Sequence, residues 1–175
     1  ILEIKDNFDI FLFDAFGVFW DGSNIYKNAD IAMEQLIKEG KTICILSNSP
    51  RHILTSEAYF KHGFKNGKHF NYFITSGIVL RDSLENHKLK FKNNKNPKNV
   101  YIFGFGGKTI FEGIDFNIVN NLKEADFVYI ASPKLIEDEY NKSTHKKFLN
   151  EAVNTNIQVW NSTKIYPFVK NLKEI

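Results

Sequence analysis

Three short apolar runs, each breaking off on a polar residue and separated by helix-like stretches, restrict the fold of this chain more than any other feature. Phe8 to Asp14 (FDIFLFD) is too short for a helix and reads as a buried strand. Gly17 and Asp21-Gly22 punctuate the loop that follows. From Ala29 to Lys38 the apolar residues Ala29, Ala32, Met33, Leu36 and Ile37 fall at helical spacing, with Asn28 placed to cap the start and Gly40 to end it. Thr42 to Leu46 (TICIL) reads as a second buried strand. Ser49-Pro50 opens a helix that runs to Gly63, with Ser49 as cap and Pro50 at the first helical position. Tyr72 to Thr75 is a third strand, and a helix follows to about Glu85. Strand and helix alternate three times, which predicts a parallel sheet with helices on its faces. In such sheets ligands bind at the carboxyl ends of the strands. Asp14, Ser47 and Thr75-Ser76 stand at those ends, and their convergence is the main physical pointer to a site.

The second half repeats the alternation more loosely. Residues 86–99 are polar and basic and read as a connection between lobes. Val100 to Phe103 and Asp126 to Ala131 read as strands, 107–112 as a short helix, Asn141 to Val153 as a helix and Ile157 to Trp160 as a last strand. Phe148, Leu149, Ala152 and Val153 are expected to face inward from that helix. Gly104-Phe105-Gly106-Gly107 lacks the spacing of a dinucleotide fingerprint and reads as a tight strand-to-helix turn.

Composition narrows the function classes. Of 175 residues, 43% are hydrophobic and 25% charged, the balance of a folded domain or two small lobes. A net charge of +3 is too mild to argue for nucleic acid. No apolar run nears the ~20 residues of a membrane helix. The lone Cys44 cannot form an internal disulfide and reads as a small core residue in a reducing compartment, which makes the cytoplasm the expected location. The opening Ile1-Leu2-Glu3-Ile4-Lys5 lacks Met and is not a signal peptide, which leaves the true N-terminus open. The five histidines show no metal-ligand spacing.

Phe13-Asp14-Ala15-Phe16-Gly17-Val18 with Asp21-Gly22 resembles the first motif of the haloacid dehalogenase superfamily, a strand ending in D-x-D-G-[TV]. Leu46-Ser47-Asn48-Ser49-Pro50-Arg51 resembles the second, and with Thr75-Ser76-Gly77 it looks like subfamily IIA, the NagD-type phosphatases. The strands around Val100, Phe127 and Val159 look like that subfamily's α/β cap. The resemblance implies an α/β fold with an incomplete Rossmannoid parallel sheet as core (residues 1–86) and an inserted α/β cap domain (residues 87–175). It implies a Mg²⁺-dependent phosphatase for a small phosphorylated metabolite, such as a sugar phosphate or nucleotide. Asp14 would be the nucleophile and a metal ligand, the Phe16 backbone carbonyl a second metal ligand, and Ser47, Asn48 and Gly17 the phosphate cradle. A carboxylate suits the first role because it is nucleophilic at neutral pH without a base. Nucleic acid and membrane are not expected as partners, and a homo-oligomer is left open.

The pattern is broken in two places. The second Asp of D-x-D, which in the phosphatases protonates the leaving group and then activates water, is Phe16 here. The third and fourth motifs, a Lys and a pair of acidic Mg²⁺ ligands, are absent from residues 163–175. Either the chain is a fragment or the protein is degenerate, and an exposed strand edge with apolar surface is expected in both cases. The alternative function is therefore a catalytically impaired or non-catalytic relative, with a dehalogenase-like hydrolase as a third reading. Asp21 is a conceivable substitute acid. Phe16 could be a core aromatic or a substrate-facing wall, and Trp20 could line an entrance or pack under the cap.

Overall fold

The computed structural model describes residue 1 and residues 3–50, 61–91, 96–131 and 142–161. The chain divides into two compact units, one of residues 1–48 and 53–75 and the other of residues 49–52 and 76–175.

The first unit is built on strands β1 (Ile10–Asp14), β2 (Thr42–Ser47) and β3 (Tyr72–Thr75) in the order β1-β2-β3, all parallel. Helix α1 (Ala29–Lys38) makes the crossover from β1 to β2 that a parallel pair demands. It buries Met33 and Leu36 against Phe11, Ile43, Ile45 and Phe70. The helix ends as the sequence predicts. Gly40 adopts a φ of +79°, its N–H donates to the Ile37 carbonyl, and the Lys41 N–H donates to that of Leu36. This is the reciprocal pairing of a Schellman motif, which satisfies the last carbonyls. Its start differs. Asn28 is itself left-handed, with φ 66°, and its side chain caps nothing. The chain enters the helix through a turn in which the Ala29 N–H donates to the Tyr26 carbonyl.

Side chains alternate across a strand, and paired residues of a parallel sheet share a face. Phe11, Phe13, Ile43, Ile45 and Phe73 therefore occupy one face, which is the buried core. The other face carries Ile10, Leu12, Leu46, Tyr72 and Ile74, all exposed. Among the described residues β1 pairs only with β2, so its outer side is an edge. The expected bare edge and apolar surface are both present.

The second unit holds α2 (Ser76–Glu85) and a four-stranded parallel sheet of β4 (Asn99–Phe103), β5 (Asn117–Val119), β6 (Phe127–Ile130) and β7 (Gln158–Asn161), ordered β5-β4-β6-β7. Both faces are covered. Leu80 and Leu84 of α2 pack with Val100, Phe127, Tyr129 and Trp160 on one side. On the other, α3 (Lys142–Asn154) sets Phe148 and Ala152 against Val128 and Val159. Leu149 and Val153, expected inward, are exposed instead. The four residues span two adjacent stripes of the helix, and only one stripe meets the sheet. The 107–112 helix is a single 3-10 turn over Lys108–Ile110. The strand β5 was not anticipated. The helix expected from Pro50 to Gly63 lies largely outside the described residues.

Candidate active site

β1 delivers Asp14 to its carboxyl end, where the carboxylate is exposed and Oδ1 accepts a hydrogen bond of 2.7 Å from the Ala15 N–H. Anchoring one oxygen orients the group. The following loop is held from below. The Ala15 carbonyl accepts the N–H groups of Val18, Phe19 and Trp20 at 3.2–3.3 Å. Ala15, Phe19 and Trp20 are buried in the first core, with Phe19 stacked on Phe64 at 5.1 Å and Trp20 edge-on to His62 at 4.8 Å. Phe16, Gly17 and Val18 are left on the outside.

The two aromatics of this loop pack differently. Trp20 packs into the core and is 8% exposed. Phe16 is no core aromatic, because 68% of it is exposed. Its ring lies along Gly22, where an added Cβ would come within 3.2 Å of Cε2. Gly17 takes φ +81°, the left-handed region that glycine enters without strain. Its N–H donates to the Trp20 carbonyl at 2.7 Å and so closes the loop on itself. That small ladder uses the Ala15 carbonyl and the Gly17 N–H and does not draw on the Phe16 carbonyl.

Asp21 is engaged in a turn. Its Oδ1 accepts the N–H groups of Ser23 at 2.7 Å and Asn24 at 2.6 Å, and the Asp21 N–H returns to the Asn24 carbonyl at 3.0 Å. Those amide hydrogen bonds favour the ionised form and hold the Asp21 carboxyl below the usual carboxylate range. A group so held is a poor proton donor near neutral pH. The residues 21–24 (DGSN) are a turn composition, and that signal could have shown where the carboxylate points.

Ser47 ends β2 one step beyond Leu46, the register partner of Asp14, on a strand about 4.8 Å away. It is half-buried, and Asn48 just past it is exposed. Ser47 pairs in turn with Thr75. Thr75 is fully buried and belongs to the packing of this margin rather than its surface. In the other unit, the Ser76 hydroxyl and the Gly77 N–H both donate to the Ser49 carbonyl, at 2.8 and 3.1 Å. These bonds tie the loop after β2 to the start of α2. At these strand ends Asp14 and Asn48 are exposed and Ser47 is half-buried, while Thr75 and Ser76 are buried.

Among the described residues no three His, Cys, Asp or Glu side chains gather as a metal cluster. Asp14 and the Phe16 carbonyl are oxygen donors, the type a hard cation takes. A cavity of about 380 Å³ in the second unit is lined by Leu84, Leu89, Phe91, Ile114 and Phe116, with Glu85, Lys98 and Asp115 also on its wall. Lys98 is already paired with Asp115. A phosphate there would meet carboxylates, and none of Asp14, Ser47 or Asn48 lines it.

A profile of the family described as haloacid dehalogenase-like hydrolase matches residues 11–117, more than half of the chain. The chain belongs to this family. Among curated protein sequences none matches significantly. Several solved structures share the fold. A hydrolase of the haloacid dehalogenase-like family from Brucella suis superposes with a TM-score of 0.75 at 22% identity, over 93% of this chain and 56% of that one. NagD from Escherichia coli gives 0.57 at 16% identity, over 91% and 60%. A glycerol phosphate phosphatase from Mycobacterium tuberculosis, in complex with calcium, gives 0.56 at 13% identity, over 91% and 44%. The chain thus spans about half the length of these proteins. The α/β Rossmannoid class and the likeness to the NagD type, both expected from the motifs, are borne out at the level of the fold. No helix of the described residues is long and apolar enough to cross a membrane.

Proposed function

We propose that this haloacid dehalogenase-like chain carries the nucleophile of a phosphatase acting on a small phosphorylated metabolite, a sugar phosphate or nucleotide, through an aspartyl-phosphate on Asp14. The observation that carries the reading is the exposed Asp14 carboxylate at the carboxyl end of β1, with one oxygen anchored by the Ala15 N–H. The matched family and the phosphatases among the structures of like fold support it.

In this reading Ser47 and Asn48, on the neighbouring strand tip, donate to phosphoryl oxygens. Gly17 contributes by its backbone conformation, since its N–H closes the loop on the Trp20 carbonyl at a φ that glycine adopts without strain. Mg²⁺ would be held by Asp14 and the Phe16 carbonyl, and when bound it would neutralise charge on the transferring group. Residues 1–86 serve as core and 87–175 as cap, in a cytoplasmic protein.

A second reading is favoured by two specific observations. Phe16 presents an apolar ring where the phosphatases of the family carry an acid, and Asp21 spends its carboxylate on a turn. A chain of this kind could retain phosphate binding without turnover. Both readings are tested by exposing the chain to a panel of phosphate esters with Mg²⁺, alongside Asp14→Asn. Phosphate release or phosphoryl uptake that vanishes in the variant supports the enzyme. Binding of orthovanadate with no turnover supports the second reading.

A further inference from the structure

The surroundings of Asp14 say which phosphate donors it could use. From Ala15 to Ile25 the loop carries one carboxyl side chain, Asp21, and no His, Lys, Cys or Tyr. Asp21 accepts two backbone N–H groups through one oxygen, and its acid form would weaken both bonds. The residue two places after the nucleophile is an exposed phenyl ring kept close along Gly22. The hydroxyls of Ser47 and Thr75 do not ionise near neutral pH. A carboxylate nucleophile is therefore set beside an apolar rim, with no proton donor among the described residues of that loop.

We propose that Asp14 takes phosphoryl groups from donors whose leaving group departs as a stable anion, aryl and acyl phosphates, and then holds the group instead of passing it rapidly to water. The proposal rests on the aspartyl-phosphate reading above and narrows its substrate class. In the first step an Asp14 oxygen bonds to phosphorus while the bond from phosphorus to the leaving oxygen breaks, and the electron pair goes with that oxygen. A phenolate or carboxylate carries the pair unaided. An alkoxide from a sugar or glycerol phosphate needs a proton at the same moment, and Phe16 has none to give. In the second step a water oxygen bonds to phosphorus, the bond from Asp14 to phosphorus breaks, and one water proton passes to solvent. A positioned base contributes about 10²–10⁴-fold to such a step, and its lack lets the phosphorylated form accumulate.

The test uses the full chain with Mg²⁺ and three probes: p-nitrophenyl phosphate, acetyl phosphate and glycerol phosphate. Intact mass is followed over time. The expected result is one added phosphoryl group from the first two probes and none from the third. Nitrophenol release should stop near one equivalent per chain, a burst without turnover. Phe16→Asp, at an exposed position that does not threaten folding, should shorten the lifetime of the phosphorylated chain by about 10²-fold and admit glycerol phosphate. Steady turnover of glycerol phosphate by the unaltered chain would overturn the proposal and leave the aspartyl-phosphate reading standing. An unchanged lifetime in Phe16→Asp would also overturn it. No label from any probe would defeat both.

Discussion

The two sheets solve the same packing problem to different extents. The four-stranded sheet buries both faces, with α2 on one side and α3 on the other. The three-stranded sheet buries the face of Phe11, Ile43 and Ile45 and leaves Ile10, Leu12, Tyr72 and Ile74 exposed. The candidate nucleophile sits on the less covered sheet and shares its pleat with Leu46 and Ile74. Full burial also has a consequence in the second unit. The Tyr129 hydroxyl and the Trp160 Nε1 are buried and have no hydrogen-bond partner among the described residues, and they stand on register-paired residues of β6 and β7. Burial pushes the Tyr129 phenol far above its ordinary value. A sheet closed on both faces gains apolar contact and strands two polar atoms, whereas the half-open sheet keeps its carboxylate in water.

The contrast within the first sheet is the easiest to break. Ile45→Ala removes a fully buried side chain and should cost about 2–5 kcal/mol in denaturant unfolding. Leu12→Ala, on the next strand and the opposite face, should stay within about 0.5 kcal/mol. Equal losses would show that the outer face is packed in solution, and the comparison would collapse. The tightness of the second unit is probed at Gly107, where a Cβ would stand 2.8 Å from Tyr129 Cε1 and 2.9 Å from Ala131 Cβ. Gly107→Ala should therefore cost about 1–3 kcal/mol, seen as a lower melting temperature. Tyr129→Phe removes a hydroxyl that has no hydrogen-bond partner among the described residues and should be neutral or slightly stabilising, on the order of 1 kcal/mol at most. A clear loss would reveal a partner for that hydroxyl.

Most of this architecture is legible in the chain because apolar period and turn residues agree. α1 and β3 fall on their predicted bounds, and Gly40 stops α1 by the mechanism its position suggests. What is not legible depends on partners distant in sequence. β5 has three residues, two of them exposed, and becomes a strand only because Asn99 to Tyr101 lie beside it. Leu149 and Val153 match Phe148 and Ala152 in polarity, so only the position of the sheet decides which pair is buried. The position of Asp14 at a strand end is readable from the end of an apolar run. The fates of Phe16 and Asp21 are not, because the loop that closes through Gly17 and Trp20 determines which side chains it turns outward.

The smallest expected effect concerns pH and the first unit alone. His69 is buried, stacks on Phe64 at 4.9 Å, and accepts the Lys65 N–H on Nδ1 at 2.9 Å. Burial holds its pKa below the ordinary value. The charges of Lys68 and Lys65 act in the same direction, and Glu34 and Asp30 oppose them. The unfolded chain therefore binds the proton more readily than the folded one. The contribution is present in full above the unfolded pKa of about 6.5 and is lost as pH falls through the folded value. His69→Asn, which can keep an acceptor for Lys65, should flatten that part of a stability-against-pH curve. An unaltered slope would assign the acid sensitivity to other groups.

The claim that Asp14 is the nucleophile is tested most directly by locating the phosphoryl group. The chain is treated with acetyl phosphate and Mg²⁺, cleaved at acid pH and mapped by tandem mass spectrometry. The account predicts a label on Asp14 that is absent from Asp14→Asn. A label on Asp21 or any other carboxylate, or one that survives the substitution, would contradict it.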